Sequence, residues 1–348
     1  MTVPPPKDLS ETAPSSTLSN VELSVDGAIK TARIINPIKD ERSLKPSVAD
    51  LTVSEPVTAD KISEKLEIYG GAIVKNFLSH EITDKIWSDI SPHFKKRTWN
   101  GDFFPQQTTR VTSIVTKSKT VCEEYMCHPL YMEVAARFVG KKNTFIIGQD
   151  LTTAYSEPQH NSSTTLSIGP GATNQPFHRD DIIHHNIRKY REKYEYGYET
   201  AIACCLAHNK TTKANGATRF IPGSHLWDHQ RIPQEDEVVY AEMEKGDAFF
   251  MLASCFHGGS ANTTKDEYRN QSFLFMTQGH LRPEENIFIE TPMEYFETLS
   301  VQALKSIGLA ASQPYCGWFR DLEDPLHVVK PETLTGDDQF ENTFKIVE

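Results

Sequence analysis

The chain has 348 residues, 38% hydrophobic and 10% aromatic, which suffices for the core of one large or two ordinary domains. Its formal net charge of −11, with no basic block to offset it, argues against nucleic acid as a partner. No apolar run approaches bilayer-spanning length, no charged-then-apolar leader opens the chain and no Ser-Lys-Leu tail closes it, so a cytoplasmic protein without a membrane partner is expected.

Residues 1–50 are rich in Pro, Ser, Thr and charge, and read as a disordered or surface-draped arm. The main domain is expected over 51–310, with 311–348 an irregular tail packed on it. Thr58 caps a helix carrying Ile62, Leu66 and Ile68, which stops at Gly70 and Gly71. A short strand over 72–78 follows, and then a helix from Ser79 in which Ile82, Ile86 and Ile90 recur every four residues. Residues 108–115 alternate as a strand, and 127–139 are helical, with Leu130, Val134, Ala135 and Phe138 on one face.

From there the pattern changes. Short β-branched segments at 144–147, 164–168, 200–207, 217–222, 238–243, 248–252 and 271–278 alternate with Gly, Pro and Asn. Such a succession predicts a sandwich or barrel, so the fold class is mainly β with flanking helices. Residues 149–163 and the tyrosine-rich 186–198 read as insertions, and 293–308 as a helix. The six cysteines show no C-x-x-C spacing, and adjacent Cys204 and Cys205 read as small apolar strand residues rather than a disulfide framework.

The stretch with chemical content is Asn174-Gln-Pro-Phe-His-Arg-Asp-Asp181. On a strand, side chains two apart share a face, so His178 and Asp180 would converge. With a second histidine they would make a two-histidine, one-carboxylate triad that leaves three positions open on Fe(II). His-x-Asp alone is common and is usually just a polar strand. For the third ligand His257 is the best candidate, because it follows a turn and a buried strand and precedes Gly258 and Gly259, which permit close approach. His184, His185, His208, His225, His229 and His280 compete, and read better as hydrogen-bonded or capping residues. Arg269, twelve residues beyond His257 across a polar turn, would be returned beside the site by a hairpin, where its guanidinium can grip a carboxylate.

These segments occur in a telling order: Gln175-Pro-Phe-His-Arg-Asp180, Asn215-Gly-Ala-Thr-Arg-Phe-Ile-Pro-Gly-Ser-His225, Lys245-Gly-Asp247, His257-Gly-Gly259 and Arg269. Together they resemble the phytanoyl-CoA dioxygenase-like branch of the Fe(II)/2-oxoglutarate-dependent oxygenases, especially fungal members that tailor secondary metabolites. The resemblance covers roughly residues 60–300 and implies a double-stranded β-helix, or jelly roll. It implies that His178, Asp180 and His257 ligate iron and that Arg269 anchors the far carboxylate of 2-oxoglutarate. Gln175, Thr218 and Thr109 would contact the co-substrate, with Arg110 beside Thr109 lining the same pocket. Asp181, His184 and His185 extend the motif and would orient the ligands.

By the same resemblance, Fe(II), 2-oxoglutarate and O2 would oxidise a small molecule by hydroxylation, desaturation or oxidative cyclisation or rearrangement. Halogenating relatives replace the carboxylate with a small residue, so Asp180 speaks against halogenation. Relatives form homodimers, and a homodimer is expected. Phytanoyl-CoA itself is not the expected substrate, because no CoA-binding basic cluster is evident. A non-redox cupin-like isomerase or hydrolase would keep the three ligands but have no use for Arg269. A vestigial binding protein would not need an intact triad.

Overall fold

In the computed structural model the described residues are 44–94 and 103–334, together with the backbone of three short strand segments at 21–26, 29–34 and 345–346. Residues 1–20 and most of the tail beyond 334 lie outside them, so the expectations for the start of the arm and for the last residues are not addressed. Two units are present. The smaller comprises Met1–Arg42 and His229–Ile232, and in it β1 (Val21–Asp26) and β2 (Ile29–Ile34) pair antiparallel. The larger, Ser43–Asp228 with Pro233–Glu348, contains every residue discussed below.

The larger unit opens with α1 (Val48–Leu51) and α2 (Ala59–Tyr69). Thr58 caps α2 by accepting from the Lys61 N–H at 3.3 Å, and Gly70 ends it in the left-handed region. Then come β3 (Gly71–Val74) and α3 (His80–Ile90), the latter capped by Ser79. After β4 (Thr108–Thr112), a π-helical turn at Val121–Met126 leads into α4 (Pro129–Val139), with proline at the start of the helix where a missing N–H costs nothing.

The strands β5 (Lys141–Ile147), β6 (Asp150–Ser156), β7 (Pro158–Ile168), β8 (Ala201–Ala207), β9 (Thr218–Phe220), β10 (Val239–Tyr240), β11 (Ala248–Leu252), β12 (His257–Gly259) and β13 (Arg269–Gln278) follow, with β14 (Lys345–Ile346) pairing to β6. Residues 149–163 are therefore strand rather than an inserted loop. Their polar, Thr- and Ser-rich sequence hides a pairing supplied by β13 and β5. The helix expected over 293–308 is two pieces, α5 (Met293–Glu297) and α6 (Val301–Ser306), because Ser300 caps a new start by accepting from the Ala303 N–H. In the tail, α7 (Pro325–Val329) buries Leu326 and Val329.

A six-stranded antiparallel sheet in the order β3-β11-β8-β13-β7-β4 faces a small sheet in the order β10-β9-β12. This is a double-stranded β-helix flanked by helices. Strand β8 shows why its sequence is apolar throughout. Ile202, Cys204 and Leu206 pack with α2, α3 and α4, whereas Ala203, Cys205 and Ala207 pack between the sheets with Phe220, Phe249 and Phe273. Tyr125 and Tyr131 tie the helical layer to the large sheet. Their hydroxyls donate to the carbonyls of Cys204 and Ser272, and of Ile202 and Leu274, respectively.

Candidate active site

The site lies between the two sheets, and strand alternation selects which side chains reach it. On β13, Phe273 belongs to the core between the sheets and Leu274 to the helical core, so Arg269, Gln271, Phe273 and Phe275 share the inner face. Residues 175–178 run beside β12 as an added edge. Gln175 N donates to Gly259 O at 2.9 Å, and His178 and His257 exchange backbone bonds at 3.0 Å.

That pairing sets His178 against His257, their ring centroids 4.4 Å apart. The chain then leaves the strand, and Asp180 begins a short 3-10 turn (Asp180–His184), its N–H held by Ala253 O at 2.9 Å. The carboxylate still converges with the rings. Asp180 Oδ1 lies 3.6 Å from His178 Nε2, Oδ2 lies 3.2 Å from His257 Nε2, and all three donor groups fall within 4.8 Å of one another.

Each imidazole is oriented the same way. His178 Nδ1 lies 2.9 Å from Pro176 O and His257 Nδ1 lies 3.1 Å from Cys255 O. A carbonyl only accepts, so each Nδ1 carries its proton and each Nε2 offers a lone pair. Burial, with His257 beside it, pulls the His178 pKa down to about 4. Burial also opposes charge on His257 and on Asp180. Their mutual attraction wins, raising the histidine and lowering the carboxyl. Neutral His178 and ionised Asp180 are the states a cation needs.

Arg269 is 1% exposed. Its Nε donates to Gly216 O at 2.8 Å, while Nη1 is buried with no hydrogen-bond partner, and burial draws its pKa down to about 10. Asp180 Oδ2 is likewise buried without an aligned hydrogen bond, despite the short approach of His257. An orphaned buried guanidinium and an orphaned buried carboxylate are costly unless a ligand completes them. A cation among the three donors and a dicarboxylate reaching Arg269 would complete both, so the residues present fit these groups.

Both orphans line one cleft of about 550 Å³, with Gln175 and Thr218. Thr218 donates to Gln271 Oε1 at 3.3 Å, and Gln175 Oε1 accepts from the Gly259 N–H at 2.7 Å. Thr109 is placed differently. On β4 it shares a face with Val111, which packs in the helical core, and Arg110 and Thr112 line the cleft instead. Nor does a hairpin bring Arg269 to the site, because β12 lies in the small sheet and β13 in the large one, so residues 260–268 cross between them. Two contributors escaped the sequence reading. Gln271 sits two residues beyond Arg269, and that spacing could have flagged it. Phe103 sets its ring edge-on to His178 at 4.9 Å, and no motif marks it.

The profile of the phytanoyl-CoA dioxygenase (PhyH) family matches residues 66–270. This chain belongs to that family. It is an iron- and 2-oxoglutarate-dependent dioxygenase, and the non-redox reading loses its support. An uncharacterized protein of Saccharomyces cerevisiae, YJR154W, is 35% identical over 290 residues, covering 82% of this chain and 83% of its own. Dioxygenase peniF of Penicillium patulum is 38% identical over 267 residues, covering 76% and 86%. Among solved structures, HygX from Streptomyces hygroscopicus with nickel, 2-oxoglutarate and hygromycin B bound aligns over 66% of this chain and 90% of that one, at 10% identity and a TM-score of 0.49. No helix among the described residues of this family member is long and apolar enough to cross a membrane.

Proposed function

We propose that this dioxygenase holds iron through His178 Nε2, Asp180 and His257 Nε2, and the distal carboxylate of 2-oxoglutarate through Arg269. The observation that carries the reading is one cleft that contains both two nitrogens and a carboxylate within 4.8 Å and a buried guanidinium with an open donor. Thr218, backed by Gln271, and Gln175, held on Gly259, flank the co-substrate. Iron, 2-oxoglutarate and O2 supply the oxidation of a substrate C–H bond, with succinate and CO2 released. The chain's own contribution is to anchor each Nδ1 on a carbonyl so that both Nε2 atoms face the cation, to hold Arg269 charged and aimed, and to surround the reacting carbon with apolar walls.

Those walls include Phe103, Phe104, Ile182, Ile183, Phe273 and Phe275. A largely apolar small molecule suits them, with Glu284 at the cleft as a polar handle whose Oε2 accepts from Ser162 Oγ at 2.9 Å. Hydroxylation, desaturation or oxidative cyclisation are the reactions expected, since Asp180 fills the position a halide would need. The setting we propose is fungal secondary metabolism, in keeping with similarity to dioxygenases of Penicillium patulum and Aspergillus japonicus. We place the enzyme in the cytoplasm as a homodimer, which sedimentation would test by giving twice the chain mass.

The test of the site is an anaerobic titration with Fe(II) and then 2-oxoglutarate, followed by the weak visible metal-to-ligand charge-transfer band. The band should form in wild type and be absent in Asp180→Ala. Iron binding without a band in wild type would overturn the chelation.

A further inference from the structure

Both histidine ligands are steered by a backbone carbonyl, but Asp180 has no equivalent. Its carboxylate makes no aligned hydrogen bond at Oδ2 and lies beside the two imidazoles that a metal would engage. What places it is the backbone, and that backbone belongs to a closed ring of contacts. The N–H groups of Asp180 and Asp181 both point at Ala253 O, at 2.9 and 3.3 Å. The Asp181 side chain turns the other way into the protein, 1% exposed, and receives Arg188 Nε at 2.7 Å and Asn186 Nδ2 at 3.1 Å. Arg188, 4% exposed, continues with its two Nη groups to the two oxygens of Glu199, at 3.1 and 3.2 Å. Glu199 accepts from Ser254 Oγ at 3.0 Å, and Ser254 follows Ala253, where the ring began.

We propose that Arg188 is a positioning residue. By bridging Asp181 to Glu199 it fixes the turn that carries Asp180, and thereby sets the affinity of the metal centre. The inference rests on the metal-site reading above and adds residues that do not touch the metal. One guanidinium serving two buried carboxylates is a costly arrangement for stability alone, since apolar packing of similar volume commonly does as well. It gains directional bonds that hold one turn in one place. In other metal sites, loss of such outer partners lowers metal affinity about 10–100-fold.

The experiment uses the full chain and Mn(II), with free Mn(II) followed by its paramagnetic resonance signal, and the Fe(II)/2-oxoglutarate band as a second readout. Arg188→Met and Asp181→Ala should each weaken Mn(II) binding at least tenfold and shift the band, measured well below their melting temperatures. Tyr131→Phe, which removes a buried hydroxyl on the helical side of the large sheet, should lower the melting temperature yet bind Mn(II) as wild type does. If Arg188→Met does not fold, Asp181→Ala decides, because it leaves Arg188 and Glu199 as a balanced pair. Mn(II) affinity within twofold of wild type in the folded variants would overturn the positioning role. Failure of wild type to bind Mn(II) would instead overturn the metal site beneath it.

Discussion

Arg269 Nε donates to the carbonyl of Gly216 across 2.8 Å, and this bond aims the rest of the guanidinium into the cleft with Nη1 unpartnered. A charge-assisted bond to a carboxylate contributes about 1.5–3 kcal/mol, so Arg269→Ala should raise the KM for 2-oxoglutarate about 10–100-fold. Arg269→Lys should recover little, because an ammonium cannot both hold Gly216 and present a second donor. The ligand-free protein should lose little stability in Arg269→Ala, since a buried orphan charge is removed with it. An unchanged KM in steady-state succinate assays would remove Arg269 from the co-substrate site.

The metal should reveal itself in stability. A ligand that binds only the folded state at a hundred times its Kd stabilises by about 2.7 kcal/mol. Thermal melts of wild type should therefore rise on adding Mn(II), and those of Asp180→Ala should not. Without metal, Asp180→Ala should melt within a few degrees of wild type, because the burial cost of the carboxylate offsets much of its attraction to His257.

Gly259 tests how closely the co-substrate wall is packed. A Cβ there would lie 2.9 Å from Gln175 Oε1, the atom that accepts the Gly259 N–H. Gly259→Ala should expel the Gln175 amide and break its bond to the residue-259 N–H, costing about 0.5–1.5 kcal/mol of stability. The KM for 2-oxoglutarate should rise several-fold alongside, whereas Gln175→Ala combined with Gly259→Ala should restore much of the stability. Equal melting of the two Gly259→Ala proteins would show that the clash is relieved elsewhere.

Acid should unfold the protein through its buried histidines. Burial holds His160 and His225 down to about 3 and His208 to about 4. Depressed values mean that the folded state refuses protons the unfolded chain accepts below about pH 6.5. Their contribution is complete above that pH and is lost as pH falls toward 4, by up to about 1.4 kcal/mol per pH unit for each histidine. Glu285 and Glu199 work in the opposite sense, because burial raises both carboxyls, and they oppose the three histidines with two protons. Urea unfolding at pH 7 and pH 5 should show the loss, and His225→Gln should flatten the slope; a pH-independent midpoint would contradict it.

How far the sequence reached can be read from single residues. The short spacing of His178 and Asp180 already implied convergence, although a 3-10 turn rather than a strand delivers it, and apolar periodicity with caps at Thr58 and Ser79 located α2 and α3. These are local properties, set by backbone period and by hydrogen bonds within a turn. The run Ala201–Ala207 announced a buried strand for a similar reason, although its two faces serve two different cores.

Everything that required a partner strand was decided by the tertiary structure. Residues 150–156 and 158–163 look like polar loop and become strand because β5 and β13 supply their hydrogen bonds. The pairing of β4 with β7 turns Arg110 toward the cleft and Thr109 toward the helical layer, a one-residue difference that no local pattern resolves. Arg269 reaches the cleft of His178, Asp180 and His257 by a crossing between sheets, and Arg188 joins Asp181 to Glu199, which lies eleven residues beyond the arginine in the chain. The sequence by itself determined which chemical groups were available and which short segments would hold them. Only the closure of two sheets around a shared interior decided which of those groups meet, because a strand's register and facing depend on neighbours distant in the chain.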